Sequence, residues 1–390
     1  MLDGIHGMLP REKMSAGVRK LRDFYDGKPG APFVLKEFGF YSLDRWIKEG
    51  HIKSPEEIEG DYDAYLREVF GFDEPGQHDI WNLGWCEAEF CPFFEEKTIE
   101  DRGDHEVVQD FAGRHVLFFK NRRSGFMPEY ISSPVKDMKT WQEKVKWRLN
   151  PDSPERIQKI DKSIAQAVEA ARQGKVIVQR IIGGCMYLRS LMGPEELCYL
   201  LYDQPELIHD CMQTWLELAD SVTSRIQQAV SYDEIFLAED ICYNHGPLIS
   251  PDMMKEFLFP YYQQLIGNIR SRQLDKARRL NIQVDTDGFC WPVVDLYKEA
   301  IGMNYMSPFE AAAGCDIVKS GEKWPDMLLS GGIDKRVLAA TTEEIDGYLD
   351  GVLPVLHRRG GYIPTSDHGV PEEVPFENYI HFRRRIAEYA

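Results

Sequence analysis

Residues 281–301 read NIQVDTDGFCWPVVDLYKEAI, and they contain one complete unit of the predicted fold. Ile282 and Val284 predict a short buried strand, and residues 290–302 have the spacing of a helix. Asp285 and Asp287 follow the apolar run at once, so two like charges lie one residue apart at the end of a buried strand. The question that this stretch raises is what these two carboxylates do there.

The same alternation of strand and helix recurs through the second half of the chain. Further strands are predicted at residues 175–184 (KVIVQRIIGG), 233–240 (DEIFLAED), 303–310 (MNYMSPFE), 326–334 (DMLLSGGID) and 361–369 (GYIPTSDHG). Near-continuous apolar strands that alternate with helices indicate a parallel sheet covered by helices. Within the last long helix, Thr341 and Glu344 have the spacing of a capping box.

A doubly wound sheet and a (β/α)8 barrel both fit this alternation. Two earlier strand candidates, residues 31–40 (APFVLKEFGF) and 114–121 (RHVLFFKN), raise the total to eight and favour an α/β fold of the TIM-barrel type. With no repeat or linker in view, we expect one domain over residues 1–390. Residues 1–150 form its irregular N-terminal part, which includes the first strands and lies over the barrel mouth, and residues 151–390 form the regular units.

The bulk composition excludes several classes of function. A formal net charge of -18 argues against nucleic acid and against anionic membrane surfaces as partners. Residues 1–17 lack the apolar segment of a signal peptide, and no apolar stretch approaches the roughly 20 residues of a membrane span. Eight dispersed cysteines without a CxxC pair are typical of reduced thiols. We therefore expect a cytoplasmic protein.

Nearly every predicted strand ends on an ionisable residue. Active sites of TIM barrels lie at the carboxyl ends of the strands, so these residues are candidates for a site. They are Glu37, Arg180, Glu239, Asp240, Asp285, Asp287, Glu310, Asp334, Asp367 and His368. Any one acid could instead be a helix cap. A ring of acids can hold a cation, raise the pKa of one of its members, or bind a hydroxyl-rich substrate.

Three further residues have alternative interpretations. His368 is a general acid or base, a metal ligand, or a loop residue that only makes hydrogen bonds. Cys315 lies near the predicted mouth, where a buried thiol is often inert packing. Tyr187 belongs to a set of aromatic and sulfur-containing residues that could line a pocket for a flat ligand or belong to the core.

Six stretches together resemble one known superfamily. They lie at residues 181–208, 233–262, 284–288 (VDTDG), 307–317 (SPFEAAAGCDI), 328–339 (LLSGGIDKRVLA) and 360–379 (GGYIPTSDHGVPEEVPFENY). In these residues the chain resembles the uroporphyrinogen decarboxylase-like superfamily, which also contains cobamide-dependent methyltransferases. The resemblance covers roughly residues 150–390 and implies a TIM barrel and a possible homodimer.

The resemblance to true uroporphyrinogen decarboxylases is incomplete. Their arginine-rich N-terminal segment has no counterpart in residues 31–46, and their essential aspartate has none either. Their tyrosine falls near Leu191, and their late histidine matches His368. An octacarboxylate porphyrinogen would also meet a mostly acidic mouth.

The methyltransferase branch is the preferred expectation. Its members bind zinc through a histidine and a cysteine on the strand that here reads VDTDGFC, plus a late cysteine. The resemblance therefore implies zinc or another divalent metal on Asp287, His368 and Cys315. The methyl acceptor would be a corrinoid on a partner protein, and the donor a small O- or N-methyl substrate.

Roles are predicted for the remaining candidates. The expected catalytic residues are Asp285, Asp287, His368, Glu239 and Glu310, and the expected substrate-binding residues are Arg180, Asp240, Tyr187, Asp334 and Asp367. Two alternatives stay open: a decarboxylase of a tetrapyrrole or another carboxylic acid, and a non-catalytic module that binds a corrinoid or tetrapyrrole.

Overall fold

The protein is built around a parallel β-sheet, as seen in a computed structural model that describes residues 4–120 and 129–390. Within these residues a seven-stranded parallel sheet has the order β1-β6-β7-β10-β11-β12-β13, a four-stranded antiparallel sheet has the order β2-β3-β4-β5, and β8 pairs with β9. The strands are β1 (Gln77–Trp81), β2 (Lys97–Arg102), β3 (His105–Gln109), β4 (His115–Phe119), β5 (Glu129–Ser132), β6 (Val176–Ile182), β7 (Glu234–Ala238), β8 (Cys242–Tyr243), β9 (Gly246–Pro247), β10 (Asn281–Asp285), β11 (Tyr305–Ser307), β12 (Leu328–Ser330) and β13 (Tyr362–Ile363).

The six strands predicted from the regular half of the chain are confirmed, and they are consecutive neighbours in the parallel sheet. Both earlier candidates need correction. Residues 31–40 form no strand, and their one ladder contact is an isolated bridge between Phe40 and Val370. The segment at 114–121 does contain β4, but β4 pairs antiparallel with β3 and β5 in the small sheet; residue 121 lies outside the described residues.

The remaining parallel strand, β1, was missed in the sequence. Its residues, QHDIW, include one fully buried aliphatic side chain, Ile80, and therefore lack the apolar run that marks β6 or β10. Its position is set by pairing with β6, in which Gln77 to Trp81 lie opposite Val176 to Arg180. Tertiary pairing thus overrides a weak local pattern.

Helices follow the strands and cover the sheet. They are α1 (Ala16–Tyr25), α2 (Leu43–Lys48), α3 (Tyr62–Phe70), α4 (Met138–Thr140), α5 (Pro154–Arg172), α6 (Gly184–Met192), α7 (Pro194–Asp203), α8 (Pro205–Gln227), α9 (Pro251–Phe257), α10 (Phe259–Arg272), α11 (Trp291–Ile301), α12 (Ile317–Lys323), α13 (Thr342–Arg359) and α14 (Phe376–Ala387). Short 3-10 turns lie at Arg11–Lys13, Pro55–Glu57, Lys146–Leu149, Ala311–Ala313 and Val337–Ala339, and a π turn at Trp141–Val145.

Local sequence explains where several helices begin. The predicted capping box is present at α13, where Glu344 N–H donates to Thr341 Oγ1 at 3.3 Å and Thr341 N–H donates to Glu344 Oε2 at 3.0 Å. Ser250 accepts from Met253 N–H at the start of α9, ahead of a proline at the first helical position.

The parallel sheet is curled. Val34, Val176, Phe236, Tyr305 and Ile363, from successive segments around the sheet, belong to one buried cluster on its inner face. A larger cluster on the other face packs the helices against the strands. No helix in the described part of the chain is long and apolar enough to span a membrane.

A buried ion cluster fixes the amino edge of the sheet. Asp233, just before β7, is 0% exposed and accepts from Arg278 Nε at 2.6 Å, Arg278 Nη2 at 2.8 Å and Ile177 N–H at 2.8 Å. Arg22 on α1 pairs with the same carboxylate. One side chain therefore ties the N-terminal helix and the segment before β10 to the sheet.

We expect Asp233→Ala to lower the free energy of unfolding by about 3–5 kcal/mol, because it leaves a buried guanidinium without its counter-charge. Chemical denaturation followed by circular dichroism measures this change. The matched control is Asp326→Ala, which breaks an exposed ion pair with Lys298 (2.8 Å) and should cost about 0–1 kcal/mol. Equal losses for the two variants would contradict a structural role of the buried cluster.

Candidate active site at the carboxyl edge of the sheet

A large cavity lies at the carboxyl edge of the parallel sheet, beneath the small antiparallel sheet. Its volume is about 920 Å³, within the range of small-molecule sites. The lining comprises the aromatic residues Phe38, Tyr41, Trp85 and Tyr130, the ionisable residues Glu87, Arg114, Arg189, Asp240, Asp285, Asp287 and His368, and Cys86, Ser133, Met186, Ser190, Gly193, Pro194 and Ala238. Four of the predicted site residues therefore meet in one cavity: Asp240, Asp285, Asp287 and His368.

Asp285 ends β10 and is 9% exposed. Its Oδ2 accepts a hydrogen bond from the Ser307 hydroxyl on β11, and that hydroxyl in turn accepts from Gln283 Nε2 at 2.8 Å. Burial raises the pKa of Asp285 to about 7; the bond from Ser307 opposes this rise, and the nearby charge of Asp287 adds to it. Asp285 is therefore a carboxyl group that changes protonation state near neutral pH.

Asp287 and His368 form a hydrogen-bonded pair in the lining of the cavity. Asp287 Oδ2 lies 3.3 Å from His368 Nε2, and this hydrogen bond raises the pKa of His368 above its usual value. The imidazole contacts the rings of Phe38 (5.4 Å between centroids) and Tyr41 (5.6 Å, stacked). These rings fix the orientation of the histidine toward Asp287.

Asp240 follows β7 and is paired with Arg189, which was not predicted as a site residue from the sequence. Arg189 on α6 binds the Asp240 carboxylate and donates from Nη1 to the Asp240 carbonyl at 3.1 Å. Asp240 has φ of +40°, a left-handed conformation that is rare outside glycine, and its N–H donates to the Asp285 carbonyl at 3.1 Å. Arg189 lies inside a helix rather than at a strand end, so strand-end reasoning could not find it.

Glu239 lies behind the cavity wall. It is fully buried and accepts from the Tyr262 hydroxyl at 2.7–2.8 Å and from Cys185 N–H at 3.2 Å, and burial raises its pKa. These contacts hold the first turn of α6 against α10. The side chain is not part of the cavity lining.

Three other predicted acids brace the loops around the cavity. Glu310 accepts from Gly288 N–H at 2.9 Å and pairs with Lys335 Nζ at 2.8 Å. Asp367 accepts from the backbone N–H groups of Ala311 (2.8 Å) and Lys335 (3.1 Å). Asp334 pairs with Arg336 at 2.7 Å. None of the three lines the cavity.

Arg180 and Tyr187, predicted to bind substrate, also lie outside the lining. Arg180 Nε is 2.7 Å from Asp79 Oδ1, and its guanidinium lies 4.0 Å from the centre of the Phe236 ring. Tyr187 is buried in the core, and the described residues provide no hydrogen-bond partner for its hydroxyl.

The three expected metal ligands do not converge. Asp287 and His368 are paired with each other, whereas Cys315 is buried with its Sγ 3.7 Å from Cys290 Sγ and 3.5 Å from the Gly288 carbonyl. In residues 4–120 and 129–390, no group of three or more His, Cys, Asp or Glu side chains is arranged to hold a metal ion. These residues do not fit the expected zinc site, and the metal stays a prediction.

The N-terminal part supplies much of the cavity wall. Phe38, Tyr41, Trp85, Arg114 and Tyr130 come from it, and none of them was predicted as a site residue from the sequence. The aromatic richness of residues 40–150 was a signal for a binding surface, but it did not indicate which rings face the cavity.

The parallel sheet covered by helices, with a cavity at its carboxyl edge, places the protein in the α/β class. The family model described as uroporphyrinogen decarboxylase (URO-D) matches residues 124–389. The chain therefore belongs to the URO-D family, as the resemblance predicted.

Comparison of structures gives a methyltransferase from Methanosarcina mazei, with a TM-score of 0.57 and 14% identity over 96% of this chain and 98% of that one. At this identity the likeness shows a shared fold alone. A β-glucosidase mutant derived from a hyperthermophilic structure (TM-score 0.38, 9% identity, 99% and 93% covered) and xylanase B from Clostridium stercorarium F9 (0.33, 9%, 53% and 72%) are more distant. No curated protein matches the sequence significantly.

Asp285 gives the fold a predicted dependence on pH. Its pKa rises from 3.8 to about 7 on folding, so the folded protein retains a proton that the unfolded chain releases in this interval. Stability should therefore fall as the pH rises from about 4 to 7. We expect Asp285→Asn to raise Tm by a few degrees at pH 8 and by much less at pH 5, measured by thermal denaturation.

The control for this measurement is Asp252→Asn, which alters a carboxylate exposed on α9 and should change Tm little at either pH. An equal Tm difference for Asp285→Asn at pH 5 and pH 8 would mean that Asp285 is charged in the folded protein throughout.

Proposed function

We propose that this protein is a methyltransferase that removes the methyl group of a small O-methyl substrate and transfers it to a corrinoid carried by a partner protein. The observation that carries the proposal is Asp285, a carboxyl group with a pKa of about 7, beside the Asp287–His368 pair in a cavity of about 920 Å³. Membership of the URO-D family and the fold shared with a methyltransferase support the proposal.

Breaking a methyl–oxygen bond leaves negative charge on the oxygen, and a nearby acid lowers the cost of that charge. Asp285 meets this need because it holds a proton near neutral pH. Its Oδ2 already accepts the Ser307 proton, so the carboxyl proton belongs on Oδ1. An N-methylammonium group would leave as a neutral amine without any acid, and for this reason the O-methyl class is preferred.

The Asp287–His368 pair has a complementary role. After Asp285 has given up its proton, the cavity contains another carboxylate near Asp287 and Asp240. His368 holds a proton more firmly than an isolated histidine because of Asp287, and it lines the same cavity. We assign to it the return of a proton to the site and the balancing of the acidic charge.

A reduced corrinoid, when bound, would supply the nucleophile for the methyl group. The residues present fit a flat macrocycle, since Phe38, Tyr41, Trp85 and Tyr130 line the cavity and remain 36–56% exposed. Partly exposed aromatic rings can pack against such a face. The partner protein, a homodimer and a cytoplasmic location stay predictions.

We also propose that the sheet closes into the TIM barrel that the sequence predicts. Residues 33–40 would take the eighth position. Val34 packs in the inner cluster with Val176 and Ile363, and backbone bonds of 2.8 Å join Tyr41 N–H to the Val370 carbonyl and Val370 N–H to the Gly39 carbonyl.

The experiment is methyl transfer from aryl methyl ethers to cob(I)alamin, followed by absorbance of methylcobalamin. The wild-type kcat should be constant at low pH and fall tenfold per pH unit above about pH 7, where Asp285 loses its proton. Asp285→Asn should lower kcat by about 10²- to 10⁴-fold and remove that dependence.

Asp326→Asn, at an exposed ion pair, is the matched control and should keep the wild-type rate and pH profile. A wild-type protein that forms no methylcobalamin from a panel of ethers refutes the proposed function. An Asp285→Asn variant with the wild-type profile refutes the role of the acid.

Decarboxylation is the second candidate, favoured by the same neutral carboxyl, since a carbanion left by loss of CO2 also needs a proton. Incubation with uroporphyrinogen and chromatography of the products tests it. Cobalamin binding without turnover of either substrate would instead favour a non-catalytic binding module.

A further inference from the structure

Two buried cysteines contact each other beside the loop that carries Asp287, and the proposed reaction uses neither. Cys290 is the N-cap residue of α11, and Cys315 follows the 3-10 turn Ala311–Ala313. Their Sγ atoms are 3.7 Å apart, and the two residues are 0% and 1% exposed. All eight cysteines of the chain belong to the described residues, and no other two of their sulfur atoms lie within hydrogen-bond distance. The contact is therefore specific to this pair.

The surroundings of Cys315 favour its thiolate form. The hydrogen bond from the Cys290 thiol, helped by the N–H groups of Cys290 and Trp291 at the start of α11, lowers the pKa of Cys315 in spite of its burial. The same bond raises the pKa of Cys290. A thiolate is the form of cysteine that reacts with oxidants, and a neighbouring thiol can then displace the oxygen from the oxidised sulfur. Cys315 thus has the features of an attacking thiol, and Cys290 those of a resolving thiol.

A thin layer of small residues separates Cys315 from solvent. The turn before it reads Ala-Ala-Ala-Gly (311–314), and Ala312 and Gly314 are exposed. Hydrogen peroxide is similar in size to water, so local opening of this turn admits it to the sulfur. Cys211 provides the contrast, because it is 0% exposed and lies inside the 23-residue helix α8, which would have to leave the core to expose it.

We propose that Cys290 and Cys315 form a redox-active dithiol, which a peroxide converts to a reversible disulfide in the folded protein. The Cys315 thiolate attacks one peroxide oxygen, the O–O bond breaks, and the hydroxide that leaves takes up a proton, so Cys315 becomes a sulfenic acid. The Cys290 sulfur then attacks the Cys315 sulfur, and the S–O bond breaks as water leaves with the Cys290 proton. The two thiols have lost two electrons, and the peroxide has been reduced to two molecules of water.

The disulfide acts on the loop that carries Asp287. The two sulfur atoms have to approach from 3.7 Å to about 2.05 Å, so the segments 286–290 and 310–315 must shift relative to each other. Gly288 lies between them, because its N–H donates to Glu310 at 2.9 Å and its carbonyl oxygen is 3.5 Å from Cys315 Sγ. We therefore expect oxidation to weaken the bond between Gly288 and Glu310, next to Asp287.

The pairing is tested by mass spectrometry of the full-length protein after hydrogen peroxide treatment, alkylation of the remaining thiols and digestion without a reductant. We expect a cross-linked peptide pair that contains Cys290 and Cys315 and is about 2 Da lighter than the two reduced peptides, and dithiothreitol should restore both thiols. Circular dichroism before and after treatment shows whether the protein stays folded. Oxidation of Cys315 should be at least about tenfold faster than oxidation of Cys211.

Four variants separate the roles of the thiols. In Cys290→Ala the sulfenic acid of Cys315 has no resolving partner, so it should accumulate and react with dimedone. In Cys315→Ala no dimedone should be found on Cys290. Cys211→Ala is the matched control, since it removes a buried thiol without a sulfur neighbour, and Cys242→Ala removes a third buried thiol that interacts with Cys315. Both of these variants should form the wild-type cross-link.

The proposal is overturned if all eight cysteines remain alkylated after peroxide treatment, if Cys315 pairs with Cys242, or if the cross-link forms only in unfolded protein. Hydrogen exchange of the peptide 284–292 tests the effect on the loop. The Gly288 N–H should exchange several-fold faster in the oxidised protein, and equal exchange rates would refute the effect on the cavity. Since none of these readouts requires methyl transfer, their outcome does not depend on the proposed function.

Discussion

The parallel hydrogen-bond ladder is the constraint on which the site depends. All seven strands of the main sheet run in one direction, so the residues after β7, β10 and β13 emerge at a common edge although together they span more than 120 residues of sequence. Asp240, Asp287 and His368 reach one cavity for this reason. The buried cluster around Asp233 secures the opposite edge, where ionic contacts tie α1 and the segment before β10 to the sheet.

Charge at the carboxyl edge is mostly neutralised in pairs. Arg189 pairs with Asp240, Lys335 pairs with Glu310, and His368 pairs with Asp287. Asp285 differs, since its bonded partner is the uncharged hydroxyl of Ser307, and burial then makes its neutral form competitive at pH 7. Burial is the main cause of the raised pKa of Asp285, and the nearby charges of Asp287 and Asp240 add to it.

Much of the fold could be predicted because apolar periodicity reports burial directly. The six strands of the regular half and the capping box of α13 follow from local patterns such as IFLA and the Thr341–Glu344 spacing. β1 and the order of the N-terminal segments could not be predicted in this way. QHDIW has no strong local signal, and HVLFF, which has one, pairs in the antiparallel sheet.

The sequence by itself determined the family, the alternating architecture and the positions of Asp285, Asp287 and His368 at strand ends, because these depend on residues close together in the chain. Only the tertiary structure decided which polar side chains face the cavity. Glu239 accepts a hydrogen bond from Tyr262, and Asp367 accepts from backbone N–H groups, so neither side chain lines the cavity. Arg114, beside the small sheet, and Arg189, on a helix, do line it. The direction of a side chain and its partner are set by neighbours distant in sequence, and for that physical reason no local pattern encodes them.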